Sequence, residues 1–199
     1  MQVYKVYAKS FGCNSYIVTK DDKRAVIIDC ADTEVYFKCI EKNLIPVAVL
    51  LTHGHFDHVG GLGKFFEENI PIYCGECEKP FIHSPENRGI FGGVYIPEFE
   101  IHKTLKDGEE IELAGINFKV IHTPGHTEGS VCYLAEGCLF TGDTLFCEGV
   151  GRCDLPTGSS EKLYKSVKKL FSLKGDYKVY CGHEEDTTLE HERKNNPYI

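Results

Sequence analysis

The sequence of 199 residues predicts an α/β domain whose strands end in polar side chains. An apolar run over residues 46–51, typical of a buried strand, leads into three histidines and an aspartate within residues 53–58. Downstream, strand-like and helix-like segments alternate, and three more strands are each followed by a histidine or an aspartate. Because α/β sheets place their sites at the carboxyl ends of strands, these groups predict a functional site there.

Three short strands are predicted to open the chain, at residues 3–7, 15–18 and 25–28. Asp29 ends the third apolar run, where it is either a plain turn residue or a support for metal ligands. Asp32 and Thr33 then cap a predicted helix over residues 34–42. The apolar face of that helix is expected to comprise Val35, Phe37, Ile40 and Leu44.

The segment after the buried strand predicts a metal site. His53 and His55 are two residues apart, so on an extended segment they point the same way, while Asp57 and His58 on the following turn can face a second ion. Neutral imidazole and carboxylate are ligands for zinc, iron and manganese. The alternative, hydrogen-bonding histidines at a strand end, would leave desolvated groups unpaired at roughly 1–3 kcal/mol each. The spacing favours two adjacent metals.

The middle of the chain predicts a helix through residues 65–68 and a short strand at residues 71–73. Cys74 and Cys77 form a C-x-x-C pair that could be redox-active or half of a zinc knuckle, but ordinary free thiols are expected. Residues 83–97 are predicted to form a long loop, in which Phe91 and Tyr95 are candidates to line a pocket.

The second half of the chain repeats the pattern of an apolar strand followed by a candidate ligand. The predicted strands occupy residues 116–121, 131–134, 138–141 and 179–181. His126 lies beyond the first of them on a Pro-Gly turn, Asp143 follows the third, and His183 follows the fourth. Four such groups at separate strand ends are hard to explain as turns alone.

Composition excludes several classes of function. A formal net charge of −8 leaves no basic surface for nucleic acid, so no nucleic-acid partner is expected. Ten cysteines without an export leader predict a reducing, cytoplasmic location rather than a disulfide framework. No apolar run approaches the roughly 18–20 residues that cross a bilayer, so no membrane partner is expected. The length predicts one domain over residues 1–199.

These motifs resemble those of the metallo-β-lactamase superfamily, whose fold is an αββα sandwich of two mixed β-sheets flanked by helices. The resemblance implies two divalent metal ions per chain, with zinc expected first and iron or manganese as alternatives. One ion would be held by His53, His55 and His126. The other would be held by Asp57, His58 and His183, with Asp143 bridging the two.

Residues 142–156 and the tail after His183 resemble glyoxalase II-type hydrolases, the hydroxyacylglutathione hydrolases, in a short form without their C-terminal helical domain. The resemblance implies hydrolysis of a small-molecule thioester by a metal-bridging hydroxide. It gives Asp57 and Asp143 catalytic roles, and it places Arg152 where it could pair with a substrate carboxylate. Arg152 could equally be a surface residue. After His183, Glu184 and Glu185 depart from the family pattern, which leaves the local loop shape open more than the ligation.

Three alternatives remain open at this stage. A persulfide dioxygenase shares these motifs but uses one Fe(II). A lactonase or β-lactamase-like hydrolase shares the fold, although Asp143 stands where β-lactamases commonly carry Cys or Ser. The non-enzymatic alternative is a structural or sensor domain that binds metal through its cysteines. The acyl group, the thiol and the oligomeric state are not predicted.

Overall fold

Two six-stranded sheets, covered by helices on their outer faces, form the computed structural model, which describes residues 1–9, 11–21, 23–90 and 95–199. The strands are β1 (Gln2–Ala8), β2 (Cys13–Thr19), β3 (Arg24–Ile28), β4 (Ile45–Leu50), β5 (Ile72–Gly75), β6 (Lys103–Leu105), β7 (Glu110–Leu113), β8 (Ile116–His122), β9 (Val131–Ala135), β10 (Cys138–Gly142), β11 (Leu145–Phe146), β12 (Gly149–Val150), β13 (Lys178–Cys181) and β14 (Thr187–Thr188). The helices are α1 (Glu34–Glu41), α2 (Phe56–Val59), α3 (Leu62–Glu67), α4 (Lys79–Ile82), α5 (Pro85–Arg88), α6 (Ser160–Phe171) and α7 (Leu189–Asn195).

The first sheet has the strand order β1-β2-β3-β4-β5-β6. Its first three strands pair antiparallel, and β3 to β6 then pair parallel. Both faces of β3 and β4 are covered, so their sequences are nearly continuous apolar runs. The parallel pairing brings the carboxyl ends of β3 and β4 to the same edge, with Ile28 opposite Leu50.

The second sheet has the strand order β14-β13-β10-β9-β8-β7. Within it, β7 to β10 form an antiparallel meander, whereas β10 and β13 run parallel. The segments after β10 and β13 therefore leave the sheet at the same edge. The short antiparallel pair β11 and β12 follows β10 directly.

Side-chain alternation along the strands divides the apolar residues into inner and outer layers. Val26 and Ile28 of β3 face the second sheet and pack in one cluster with Phe118 and Phe140, whereas Ile27 faces the opposite side. That opposite side of the first sheet is covered by α1 and α3, and the outer face of the second sheet is covered by α6 and α7. The predicted αββα sandwich is confirmed.

The predicted strands of both halves are present within a few residues of their expected bounds. The helix predicted over residues 34–42 is α1, and Val35 and Leu44 of its expected apolar face are buried in the core. The prediction is wrong for Phe37 and Ile40, which are each 55% exposed. Cys39, four residues after Val35, faces the core with it. At the start of α1, the Asp32 carboxylate accepts a hydrogen bond from the Glu34 amide, while the Thr33 side chain makes no capping bond.

The long loop predicted at residues 83–97 is partly helical, because Ser84 caps α5 by accepting a hydrogen bond from the Asn87 amide. Phe91 lies outside the described residues. Tyr95 is 80% exposed, so its predicted place in a pocket is wrong. Asp57 and His58, expected on a turn, lie on the single-turn helix α2.

All ten cysteines are free, as expected for Cys74 and Cys77. Within the described part of the chain, no helix is both long and apolar enough to cross a membrane.

The inner layer supplies a test of the packing. Phe118 is fully buried between the sheets, so replacing it with Ala should lower the free energy of unfolding by about 3–5 kcal/mol. Phe37→Ala, which removes the same ring from an exposed position, should change it by less than about 0.5 kcal/mol. Urea unfolding of both variants measures the difference, and equal losses would contradict this layer assignment.

Candidate metal centre

All seven predicted ligands converge on one edge of the sandwich, at the carboxyl ends of strands from both sheets. His53 and His55 follow β4, Asp57 and His58 lie on α2, His126 follows β8, Asp143 follows β10, and His183 follows β13. The first sheet thus contributes the ligands before residue 60 and the second sheet contributes the others.

Three imidazoles form the first half of the cluster. The Nε2 atom of His126 lies 2.8 Å from Nδ1 of His55 and 3.2 Å from Nε2 of His53. One ring nitrogen from each of the three histidines lies within 4.8 Å of the other two. All three side chains are buried.

Asp143 lies between this half of the cluster and the second half. Its Oδ2 atom is 3.4 Å from His126 Nε2 and 3.5 Å from His183 Nε2, and its Oδ1 atom is 3.3 Å from His58 Nε2. On the far side, Asp57 Oδ2 lies 3.3 Å from His183 Nε2. Asp143 therefore lies between the two halves of the cluster, and its bridging of two ions stays a prediction.

Carbonyl oxygens fix the tautomers of two histidines. The Nδ1 atom of His126 lies 2.7 Å from the Arg152 carbonyl oxygen, and Nδ1 of His183 lies 2.9 Å from the Gly12 carbonyl oxygen. A carbonyl oxygen only accepts hydrogen bonds, so both Nδ1 atoms carry hydrogen. In the neutral rings, the Nε2 lone pairs then point into the cluster.

Asp29 fixes two more histidines, His58 directly and His53 through Thr52. It accepts a hydrogen bond from His58 Nδ1 at 2.8 Å and another from the Thr52 hydroxyl at 2.7 Å. Because that hydroxyl hydrogen is already engaged, the Thr52 oxygen accepts from His53 Nδ1 at 3.1 Å. Asp29 is therefore a support for the candidate ligands rather than a plain turn residue.

Burial and charge divide the histidines into two classes. Burial lowers the pKa of His53 and His126, and it lowers the pKa of His55 to about 3, so these three rings are neutral. Burial also opposes the charging of His183, yet hydrogen bonds with Asp143 and Asp57 raise its pKa to about 10. Positive charge, from protons or from metal ions, is thus favoured beside the two aspartates.

The donor atoms fit a metal centre. Nitrogen ligands about 2.0–2.1 Å from a tetrahedral zinc ion lie about 3.3–3.4 Å from one another. Most separations between neighbouring donors of the cluster fall between 3.2 and 3.5 Å. In addition, Oδ1 of Asp143 is buried and has no hydrogen-bond partner, as expected for an atom placed to bind a cation.

Two residues near the ligands were not predicted from the sequence. Gly182 packs so closely that a Cβ atom there would lie 2.2 Å from Asp143 Oδ1, so only glycine fits. Glu78 is fully buried, accepting hydrogen bonds from the Gly54 amide at 2.7 Å and the Thr127 hydroxyl at 2.8 Å. It joins the segment of His53 and His55 to the segment of His126. Gly182 directly precedes the predicted ligand His183, so the small residue before a ligand was the available signal, whereas Glu78 belongs to no motif.

The cluster forms the floor of an open cavity of about 1240 Å³. Its walls include Lys5, Tyr7, Phe11, Ile90, Phe146, Arg152, Leu155, Glu184 and Glu185. Arg152 therefore lies where the prediction places it, but its guanidinium group makes two hydrogen bonds of 2.7 Å with Asp154. Substrate pairing by Arg152 remains a prediction.

Comparison with known proteins agrees with this geometry. A family model described as the metallo-beta-lactamase superfamily matches residues 9–183. The chain belongs to the metallo-β-lactamase superfamily. This confirms the family predicted from the sequence motifs.

Similar superfamily members carry different descriptions. The hydroxyacylglutathione hydrolase GloC of Haemophilus influenzae is 34% identical, over 100% of this chain and 98% of its own. The structure of BLEG-1, a B3 metallo-beta-lactamase, is 32% identical with a TM-score of 0.92, covering 99% of both chains. A di-iron-bound form of TTHA1623 is 33% identical with a TM-score of 0.87, covering 99% of this chain and 100% of that one. The family is therefore clear, whereas the names of the relatives point to different substrates.

Glu78 should make the stability of the fold depend on pH. Burial raises its pKa from 4.5 to about 7, against the opposing effect of its hydrogen bonds. Between pH 4.5 and about pH 7, the folded state therefore binds more protons than the unfolded state. As the pH rises through this interval, the free energy of unfolding should fall by about 3 kcal/mol. Glu78→Gln should abolish this contribution.

Denaturant unfolding at the two ends of the interval measures the effect, and the difference between wild type and variant isolates this one group. Glu76→Gln, at an exposed position on the same segment, is the control and should keep the wild-type slope. An unchanged slope in Glu78→Gln would show that Glu78 does not titrate there.

Proposed function

We propose that the protein is a metal-dependent thioester hydrolase of the S-2-hydroxyacylglutathione, or glyoxalase II-like, type. The observation that carries the proposal is the convergence of four fixed imidazole lone pairs on Asp143 at the floor of an open cavity. Similarity to GloC over the full length supports the thioester class.

The proposed centre contains two divalent ions. One ion would be held by His53, His55 and His126. The other would be held by Asp57, His58 and His183, and both ions would share Asp143. When bound, such a pair polarises a carbonyl oxygen and lowers the pKa of a water molecule so that it becomes a nucleophile near neutral pH. The ring nitrogens and carboxylates suit zinc first, and the di-iron form of TTHA1623 keeps iron a candidate.

The two aspartates supply the negative charge that such a centre needs. Burial raises the pKa of Asp143, but the positive charge of His58 and the hydrogen bonds with His183 and His58 outweigh burial and hold this pKa well below its usual range. The pKa of Asp57 is also lowered, by His58 and His183, against the effect of burial. Both carboxylates are therefore ionised, and we assign them the catalytic roles of holding the ions and orienting the attacking water.

The cavity walls suit a thioester. Phe11, Phe146 and Leu155 line the cavity and offer apolar surface to an acyl chain or a thiol carbon chain. A thiol has a pKa of about 8.5, so the thiolate leaves readily and no strong general acid is required. The chain's own contribution is therefore to position the scissile carbonyl over the cluster and to hold the charges around it.

Charges on the walls predict a loose preference for glutathione. Lys5 donates to the Glu184 carbonyl oxygen at 2.7 Å and pairs with Asp186 at 3.1 Å. Arg152 is likewise paired with Asp154. Substrate carboxylates must compete with these acidic partners, and the neighbouring Glu185 adds further negative charge to the wall.

A second candidate function is β-lactam hydrolysis. It is favoured by one observation, the TM-score of 0.92 to BLEG-1 over nearly all of both chains. The same nucleophile could attack a lactam carbonyl. An amide nitrogen is a poorer leaving group than a thiolate, so that reaction would need a proton donor at the nitrogen.

Asp143 provides the test of the proposal. In wild type, metal analysis should find two ions per chain, and S-D-lactoylglutathione should be hydrolysed faster than a β-lactam. Asp143→Ala removes the shared ligand, so the metal content should fall to one ion or fewer and hydrolysis should be lost. Asp21→Ala, on an exposed turn, is the matched control and should retain both.

Two outcomes would contradict the proposal. Full activity with two ions in Asp143→Ala would refute the shared-ligand assignment. Oxygen consumption with glutathione persulfide by an iron-loaded protein that ignores thioesters would establish a dioxygenase instead.

Arg152 allows a separate prediction about specificity. Arg152→Ala should raise KM several-fold for a glutathione thioester and leave a neutral short-chain thioester unaffected, because a charge-assisted contact is lost. Asp154→Asn should have the opposite effect, since it releases the guanidinium group from its partner. Steady-state kinetics on both substrates, with metal content measured in parallel, distinguish recognition from structural damage. Equal losses on both substrates in Arg152→Ala would place this residue in structure.

A further inference from the structure

A thiol that no family motif includes lies beside the second half of the cluster. Cys13 begins β2, and its backbone forms an isolated antiparallel bridge with His183. The neighbouring Asn14 amide donates to the Gly182 carbonyl oxygen at 2.7 Å, which fixes this register. Cys13 is fully buried, so its side chain is held by the same backbone pairing that positions a candidate ligand.

The donor atoms of Cys13, His58 and His183 lie within 4.8 Å of one another. The Sγ atom is 3.5 Å from His58 Nε2, the nitrogen whose lone pair points into the cluster. In the described part of the chain, three triplets of His, Cys or Asp residues around this centre have donor atoms within 4.8 Å of one another. Asp57 belongs to none of these three triplets. By position, the sulfur is at least as well placed for the second ion as the Asp57 carboxylate.

The separation of Sγ and Nε2 matches shared coordination. With Zn–S near 2.3 Å and Zn–N near 2.05 Å, two ligands of a tetrahedral zinc ion lie about 3.5–3.6 Å apart. The observed distance of 3.5 Å between Cys13 Sγ and His58 Nε2 agrees with this expected ligand–ligand distance. A simple hydrogen bond from the thiol would use the His58 lone pair that the Asp29 contact orients toward the ligand cluster.

We propose that Cys13 Sγ is an additional ligand of the second metal ion, beside Asp57, His58, His183 and the shared Asp143. This inference rests on the two-ion centre of the proposed function. On coordination the sulfur loses its proton to solvent and binds as the thiolate. A soft sulfur donor favours zinc over manganese at this position, so the second site is selective for metal in a way that a site built from oxygen and nitrogen alone is not.

Titration with Co²⁺ tests the proposal, because a thiolate bound to Co²⁺ gives a charge-transfer absorption band that nitrogen and oxygen ligands do not give. Wild type should bind two Co²⁺ per chain and show the band as the second ion binds. Cys13→Ala should lose the band and bind the second ion at least about tenfold more weakly, the lower limit for removing even an outer-shell partner. Its first ion should bind as in wild type.

Cys147→Ala is the matched control, because Cys147 belongs to a separate group with His191 and Glu192. This variant should keep the band. If Cys13→Ala does not fold, Cys13→Ser, which keeps the shape and replaces sulfur with oxygen, is titrated in the same way.

The outcomes separate the two proposals. Two bound Co²⁺ without a band, a band that persists in the Cys13 variant, or a band lost in Cys147→Ala would each overturn ligation by Cys13 and leave the two-ion centre standing. Fewer than two Co²⁺ bound to wild type would overturn the two-ion centre, and with it the proposed function.

Discussion

The hydrogen bonds of the buried Asp29 carboxylate hold the candidate centre in register. Asp29 follows β3, and its amide donates to the Leu50 carbonyl oxygen at 3.0 Å, so the parallel pairing of β3 and β4 fixes its position. Its carboxylate then engages the Thr52 backbone, the Thr52 hydroxyl and the His58 ring. One side chain thereby sets the path of the ligand segment and the orientation of two imidazoles. The positions of His53 and His58 in the cluster depend on these contacts.

A second buried carboxylate joins the two sheets. Glu78 lies on the first-sheet side of the cluster, and it accepts hydrogen bonds from Gly54 and from Thr127, which adjoins His126. The ligands come from segments that share no sheet, so their mutual distances require such a connection. Asp29 aligns the ligands within one sheet, and Glu78 aligns that sheet with the other.

The sequence was sufficient to predict the elements and residues whose signals are local. His53, His55 and His58 lie within six residues, and strands of alternating or continuous apolar residues precede each candidate ligand. The face of α1 was predictable only in part, because a short helix is oriented by the sheet beneath it and its own apolar pattern is ambiguous. Cys13 and Glu78 carry no local signal. They come near the cluster only because the fold brings the start of β2 and the segment after β5 to it.

The contact between His183 and the Gly12 carbonyl oxygen joins residues 171 positions apart. One strand pair near the amino terminus and one segment near the carboxyl terminus must therefore meet before the second half of the cluster exists. During synthesis, the three histidines that reach only to residue 126 can assemble first. The half of the cluster formed by His53, His55 and His126 thus depends on a shorter stretch of the chain than the half that includes His183.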